Sequence, residues 1–192
     1  MTRRLNEYAK EWESNAEADP FWSILTDSHY FGNKWGSAEF FSTGEEEIRR
    51  VFKFMDSASI VVPSGCFLDF GCGVGRISSA LRRRFQRGYG VDISSKMVEL
   101  ARTYVIGVDF ITNQTDSLVD FDDPSVDLVY SHIVLQHIPN EYQKRYIDEF
   151  LRVLRPGGLA IFQIPIEIIN PEEAKAQFAS RIRQVLKRGL PF

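Results

Sequence analysis

The stretch CFLDFGCGVGR, residues 66–76, constrains this chain more than any other. A short apolar run bounded by glycine on both sides marks a buried strand. Three glycines then fall within five positions, Gly71, Gly73 and Gly75. Glycine accepts backbone conformations that other residues resist, and it lets a ligand lie directly against the main chain. A strand that runs through such a loop into a helix also presents free N–H groups. A tight turn with no ligand is the alternative. Several kinds of nucleotide cofactor use a turn of this type, so the loop alone does not name its ligand.

From residue 45 onward, helix and strand patterns alternate. Ile48, Val51, Phe52 and Met55 share one helical face, opened by Glu45-Glu46-Glu47 and closed by Pro63-Ser64-Gly65. After the glycine loop, Ile77, Leu81 and Phe85 predict a helix over 75–85. GYGVD (88–92) is a second strand. Ser94 or Ser95 caps a helix that turns Met97, Leu100, Ala101 and Tyr104 inward. VDFIT (108–112) and VDLVYS (126–131) are the third and fourth strands. A helix over 141–154 places Tyr146, Ile147, Phe150, Leu151 and Leu154 on its apolar face. Pro156-Gly157-Gly158 turns the chain into a fifth strand, LAIFQI (159–164). Asn170-Pro171-Glu172-Glu173 starts a last helix carrying Phe178, Ile182, Val185 and Leu186. This rhythm predicts an α/β fold, Rossmann-like and doubly wound, with a mostly parallel sheet and helices on both faces.

Residues 1–44 have a different character. Leu5, Tyr8, Ala9 and Trp12 suggest an amphipathic helix. Phe21, Trp22, Tyr30, Phe31, Trp35, Phe40 and Phe41 follow among small polar residues. Such a segment is a strap packed on the domain, a lid over a ligand mouth, or both. The expected division is therefore a helix and aromatic strap over 1–44 and a cofactor-binding domain over 45–192.

The 192 residues suit one domain with an extension, and 44% apolar residues sustain a packed core. A formal net charge of −3 argues against a nucleic-acid partner. The Arg82-Arg83-Arg84 cluster is a local exception, expected to be a solvated helix face. The N-terminus lacks the apolar core of a signal peptide, and no segment approaches the ~20 apolar residues of a membrane span. Cys66 and Cys72 lie in the strand and the glycine loop, which suggests reduced thiols. No metal-ligand pattern is present. These features predict a cytoplasmic protein with no membrane partner.

Asp92 ends the second strand, where an acidic side chain can accept hydrogen bonds from both ribose hydroxyls of a nucleotide-like cofactor. A capping role before Ile93-Ser94 is the alternative. FLDFGCGVGR, GVDIS, VDLVYSHIVLQHIP and FLRVLRPGGLAIF, in this order and spacing, resemble the class I S-adenosylmethionine-dependent methyltransferases over roughly residues 45–165. LRVLRPGGLAIF is the most specific piece, and G-x-G-x-G stands where dinucleotide-binding loops have G-x-G-x-x-G.

The resemblance implies roles by position. Asp69, Gly71, Cys72, Gly73, Gly75 and Arg76 would surround the methionine portion of S-adenosylmethionine, with Asp69 as counter-charge to its ammonium group. Asp92 would hold the ribose and Ile93 would pack on the adenine. Asn113-Gln114-Thr115 would match the family's stretch after the third strand, with Gln114 replacing the acid that takes the adenine amino group, Thr115 beside it, and Asp116 the alternative if the register slips. Ser131 and His132 would face the methionine amine and the reacting methyl.

Methyl transfer from a sulfonium is an in-line displacement, so the protein chiefly supplies alignment and a dry site. His132 and His137 are the candidate bases, with a hydrogen-bonding scaffold role as the alternative for each. His29 lies on the aromatic strap. Ser131-His132-Ile133-Val134 replaces the Asn-Pro-Pro-Tyr-like motif of family members that methylate DNA bases or protein amides, which implies a small-molecule acceptor. The family sheet has a further C-terminal strand pair, which this sequence is expected to lack. An uncovered apolar strand five is unfavourable, so a homodimer or a missing C-terminal segment is expected to cover it. A non-catalytic methyltransferase-like subunit and an NAD-dependent oxidoreductase are the alternative functions.

Overall fold

A computed structural model describes residues 3–164 of the chain. Its frame is a five-stranded sheet in the order β3-β2-β1-β4-β5. The strands are β1 (Cys66–Phe70), β2 (Arg87–Asp92), β3 (Asp109–Thr112), β4 (Val126–Ser131) and β5 (Leu154–Phe162). Every pairing is parallel. All five carboxyl ends therefore share one edge, and the order reverses between β1 and β4. In open α/β sheets that reversal point is where ligands bind.

β1 and β4 are the central strands, and every residue in both is buried. That explains their nearly unbroken apolar sequences, since both faces are covered. One face packs on α3 (Ser37–Ser57) and α4 (Arg76–Arg82) through Ile48, Phe67, Leu81, Leu128 and Tyr130. The other packs on α6 (Asn140–Val153) through Leu68, Phe70, Val129, Tyr146 and Phe150. α5 (Ser95–Tyr104) covers β2 and β3 with Val98 and Ala101.

Several expectations need correction. The helix expected from residue 45 begins at Ser37 and runs unbroken to Ser57, across the anticipated boundary at 44/45. Gly44 sits inside it because α3 crosses α4 closely: a Cβ there would stand 2.5 Å from the Arg76 carbonyl oxygen. Tyr104 is 44% exposed and Leu151 64% exposed, so neither turns into the core. β5 begins at Leu154, before the Pro156-Gly157-Gly158 turn, and its register shifts between Val126 and Leu128 of β4. The turn is a bulge within the strand, with Gly157 at φ +82°. β5 ends at Phe162, so Gln163 and Ile164 are not part of it. The helix expected from Asn170 lies outside the described residues.

The arginine triplet does more than face solvent. Arg82 donates to the carbonyls of Gly107 and Phe85, Arg83 pairs with Glu45, and Arg84 lies over the Phe52 ring. Both cysteines are free and buried. Among the described residues no helix is long and apolar enough to cross a membrane.

The N-terminal segment folds over the ligand edge of the sheet. α1 (Arg3–Ala18) and α2 (Pro20–Ile24) are joined at Asp19, which caps α2 by accepting from Trp22 N and also holds the amides of Gly32 and Asn33. The aromatic residues pack among themselves. Phe21 stacks on Phe40 at 4.4 Å and Tyr30 on Trp35 at 3.6 Å between ring centroids.

Candidate active site

The loops after β1, β2, β3 and β4 enclose a cavity of about 110 Å³ at the reversal point. Its floor is Gly71, Asp92, Ile93 and Asn113. One wall is His132, Ile133 and Val134, and the roof is Tyr8 and Trp12 of α1 with Ile24 of α2. The strap is thus part of the enclosure.

The glycine loop follows from backbone need. Gly71 (φ +75°), Gly73 (φ +52°) and Gly75 (φ +86°) all lie in the left-handed region that glycine favours. A Cβ on Gly71 would stand 2.3 Å from Val134 Cγ2, and one on Gly73 would stand 2.5 Å from Ile24 Cδ1. The bare face of the loop is therefore covered by this chain's own side chains. Gly75 opens α4, but its Cβ direction points at Val105 and Phe110, away from the cavity.

Asp92 ties β2 to that loop. One carboxylate oxygen accepts from Gly73 N at 2.8 Å and the other from Ser94 N at 2.9 Å. Burial pushes its pKa up to about 6, and the Ser94 and Gly73 amides oppose the rise. The capping helix residue is Ser94, whose hydroxyl accepts from Met97 N. Asp92 serves the turn before α5 and still borders the cavity.

Asp69 lies deeper. It is 2% exposed, accepts from Ser78 Oγ at 2.5 Å, and does not reach the cavity wall. Burial drives its pKa up to about 7, against the pull of Ser78 and Arg76. Cys72 points back into the α5–β3 core, and burial raises its thiol well above the ordinary value.

Arg76 is turned away as well. It pairs with Glu47 of α3 at 2.9 Å and donates to Thr43 Oγ1 at 3.3 Å. After β3, Asn113 borders the cavity in place of Gln114, whose amide donates to the Ile93 carbonyl. Thr115 is folded onto Asn113, and its carbonyl accepts from Tyr146 OH. Asp116 pairs with Arg145. Of the positions assigned from the motifs, the cavity gathers Gly71, Asp92, Ile93, His132 and His137.

The wall after β4 is chemically different. Ser131 Oγ is buried without a hydrogen-bond partner, and so is His132 Nδ1. His132 Nδ1 nevertheless stands 3.0 Å from Glu47 Oε1, within ion-pair distance but not aligned for a hydrogen bond. Burial lowers the His132 pKa, Glu47 opposes that, and Arg76 and Arg50 reinforce it. Ile133 holds φ +60°, a strained conformation for a β-branched residue. His137 is exposed at the cavity mouth with the Trp12 ring edge-on at 5.5 Å. Glu47 escapes a motif search because it sits 85 positions before His132, on a helix that precedes the first strand. Among the described residues, no group of three or more acidic, histidine or cysteine side chains could hold a metal ion.

Residues 68–162 match the family model described as a methyltransferase domain. A trans-aconitate 2-methyltransferase of Azoarcus sp. (strain BH72) is 30% identical over 144 residues, 71% of this chain and 53% of that protein. An indolepyruvate C-methyltransferase of Streptomyces griseus is 42% identical over 88 residues, 42% of this chain and 27% of that protein. The chain spans about half the length of the curated relatives it matches or less. The fold is also that of Haemonchus contortus phosphoethanolamine N-methyltransferase 1, solved with phosphoethanolamine and S-adenosylhomocysteine. That match has a TM-score of 0.63 at 15% identity and covers 84% of this chain and 33% of that one. With the reversal-point cavity, the glycine loop and these matches together, residues 68–162 form a methyltransferase domain with the class I fold.

Proposed function

We propose that this chain binds S-adenosylmethionine in the cavity at the β1/β4 reversal point and that its activity is methyl transfer to a small-molecule acceptor. The observation that carries the reading is the meeting of Gly71, Asp92 and His132 around one cavity, from three different strands. When bound, the cofactor supplies an electrophilic methyl group. Asp92, at the end of β2, is the residue for the ribose hydroxyls, with Ile93 and Asn113 beside the adenine. Gly71 and the amides after it meet the methionine portion. Asp69 acts from beneath the loop as a buried carboxyl that an ammonium group above it would favour in its ionised form.

The N-terminal strap serves as the lid. Ligand pockets commonly measure ~300–1,000 Å³, and the cavity holds only about 110 Å³ with α1 and α2 in place. Ile24 covers Gly73, so α2 has to withdraw before a ligand reaches the loop. Glu13 latches α1 to the start of α5, accepting from Ser95 N at 2.7 Å, Lys96 N at 3.1 Å and Ser94 Oγ at 3.1 Å. The latch is adjacent in sequence to Asp92, which couples lid position to the proposed ribose site.

The two curated relatives supply the first acceptors to try, trans-aconitate and indolepyruvate. Calorimetric titration should show binding of S-adenosylmethionine and none of NAD. Binding of NAD in preference, or of neither, would overturn the cofactor assignment. Release of S-adenosylhomocysteine with an acceptor panel tests turnover itself.

A further inference from the structure

The polar groups around Glu47 form an arrangement that cofactor binding alone does not explain. Glu47 is largely buried on α3, with a side-chain exposure of 12%. Its Oε2 accepts from Arg76 Nη2 at 2.9 Å, while Oε1 accepts from Tyr130 OH at 2.7 Å. Arg76 from α4 and Tyr130 from β4 thus fix the carboxylate, and burial beside Glu47 raises the Tyr130 pKa so that it stays a donor. The same Oε1 faces His132 Nδ1 at 3.0 Å. That ring nitrogen is buried and has no other partner among the described residues. Hydrogen bonds in ligand-free sites are often poorly aligned and tighten only in the loaded complex.

His132 also has an unusual position. It borders the cofactor cavity and, on its other side, a hollow of about 500 Å³ between α3 and β5 walled by Val51, Phe54, Leu159 and Ile161. The imidazole stands between the space assigned to the methyl donor and a space open to an acceptor. The charged and titratable groups that face it are Glu47 and Arg50 of α3, Arg76 of α4 and Tyr130 of β4. Burial, opposed by the Glu47 carboxylate and reinforced by the Arg76 and Arg50 charges, lowers the ring's pKa and so favours its neutral form.

We infer that Glu47 is a positioning residue that holds His132 as the Nδ1–H tautomer, leaving Nε2 free to take a proton from the methyl acceptor. This inference rests on the methyltransferase reading and narrows it. The acceptor then carries a proton on the atom to be methylated: a hydroxyl, an amine or an acidic carbon. A carboxylate needs no base. In the transfer, that proton passes to His132 Nε2, the freed electron pair forms the bond to the methyl carbon, and the carbon–sulfur pair remains on sulfur. The imidazolium returns its proton to solvent. A carboxylate that fixes the tautomer of a histidine base is a recurrent device of acid–base catalysis.

The test has a readout independent of turnover. In the chain labelled with ¹⁵N at histidine, long-range ¹H–¹⁵N correlations at pH 7.5 report the tautomer, with the His132 signals assigned by their loss in His132→Gln. Nδ1 should carry the proton in the parent. Glu47→Gln, whose amide oxygen can still accept but carries no charge, should weaken the preference for the Nδ1–H form and lower the ring's pKa. An Nε2–H tautomer in the parent overturns the inference, and so does a Glu47→Gln spectrum identical to the parent's. If Glu47→Gln fails to fold, the parent tautomer alone decides.

Turnover then tests the acceptor class. With phenols and with indolepyruvate as probes, His132→Ala should reduce kcat at least ~100-fold, with a smaller change in KM. Turnover confined to trans-aconitate and unaffected by His132→Ala would overturn the acceptor assignment. A parent that releases no S-adenosylhomocysteine with any probe would instead count against the methyltransferase reading, and the tautomer would still decide the role of Glu47.

Discussion

The two sides of the cavity are built on opposite principles. On the side of β1 and β2, both oxygens of Asp92 are taken by backbone amides, the glycine loop is packed against Val134 and Ile24, and Ser94 caps α5. On the side of β4, Ser131 Oγ and His132 Nδ1 are buried without formed hydrogen bonds, and Ile133 is strained. Buried polar groups left unpaired are costly and uncommon. The first side is a hydrogen-bonded seat that the strap covers through Ile24 in the absence of ligand. The second keeps unused hydrogen-bonding capacity, at His132 directly on the cavity wall and at Ser131 behind it. Recognition of an invariant cofactor suits a hydrogen-bonded seat, and chemistry on a variable acceptor suits groups held in reserve.

The packing of the first side can be broken most directly at Gly71. Gly71→Ala would place a Cβ on a left-handed residue 2.3 Å from Val134, and conformational strain plus overpacking should cost about 3 kcal/mol. Denaturant unfolding measures that loss, and a change under about 1 kcal/mol would mean that the β4 wall yields instead. Asp92→Ala removes the acceptor of two amides and should cost about 2 kcal/mol in stability, together with at least a tenfold loss of S-adenosylmethionine affinity (~1.4 kcal/mol) by calorimetry. A variant that bound the donor as tightly as the parent would remove Asp92 from the ribose site.

A subtler test uses pH. The Asp69 pKa rises from its ordinary 3.8 to about 7 on folding, so the folded state binds more protons than the unfolded state between those values. Stability should therefore fall as pH rises through that window. Asp69→Asn, which keeps an acceptor for Ser78, should flatten the decline in Tm between pH 5 and 8. An unchanged slope would place the titrating group elsewhere, with Asp92 next in line. The smallest effect is expected at the lid. Glu13→Ala gives up the contacts to Ser94, Ser95 and Lys96 at a partly exposed helix start, and should cost about 1 kcal/mol. Hydrogen exchange in α1 should quicken without a matching change in the central strands. Equal quickening in both would show that α1 is integral to the domain and not a lid.

Legibility in the sequence was uneven for identifiable reasons. The alternation of apolar runs and helical spacing, the glycines at 71, 73 and 75 and the Ser94 cap are local signals, and each element they predict between Cys66 and Ser131 is present within a few residues. The start of α3 was hidden because Gly36–Gly44 looks like loop, whereas Gly44 marks a close helix crossing. The bulge in β5 was hidden because Pro-Gly-Gly has the composition of a turn. Asp69, Cys72 and Arg76 belong to the motif, but the sequence carries no record of which way their side chains turn.

What the sequence determined by itself is the parallel α/β frame and the place of the ligand edge, because strand burial, glycine conformation and helix capping act over a few residues. What only tertiary structure decided is which groups meet. Glu47 reaches His132, Glu13 reaches Ser95, and Ile24 covers Gly73 across separations that no periodicity records. Those contacts arise from how α1, α2 and α3 fold back over the sheet, and packing of that kind depends on the whole surface each helix buries rather than on any local run of residues.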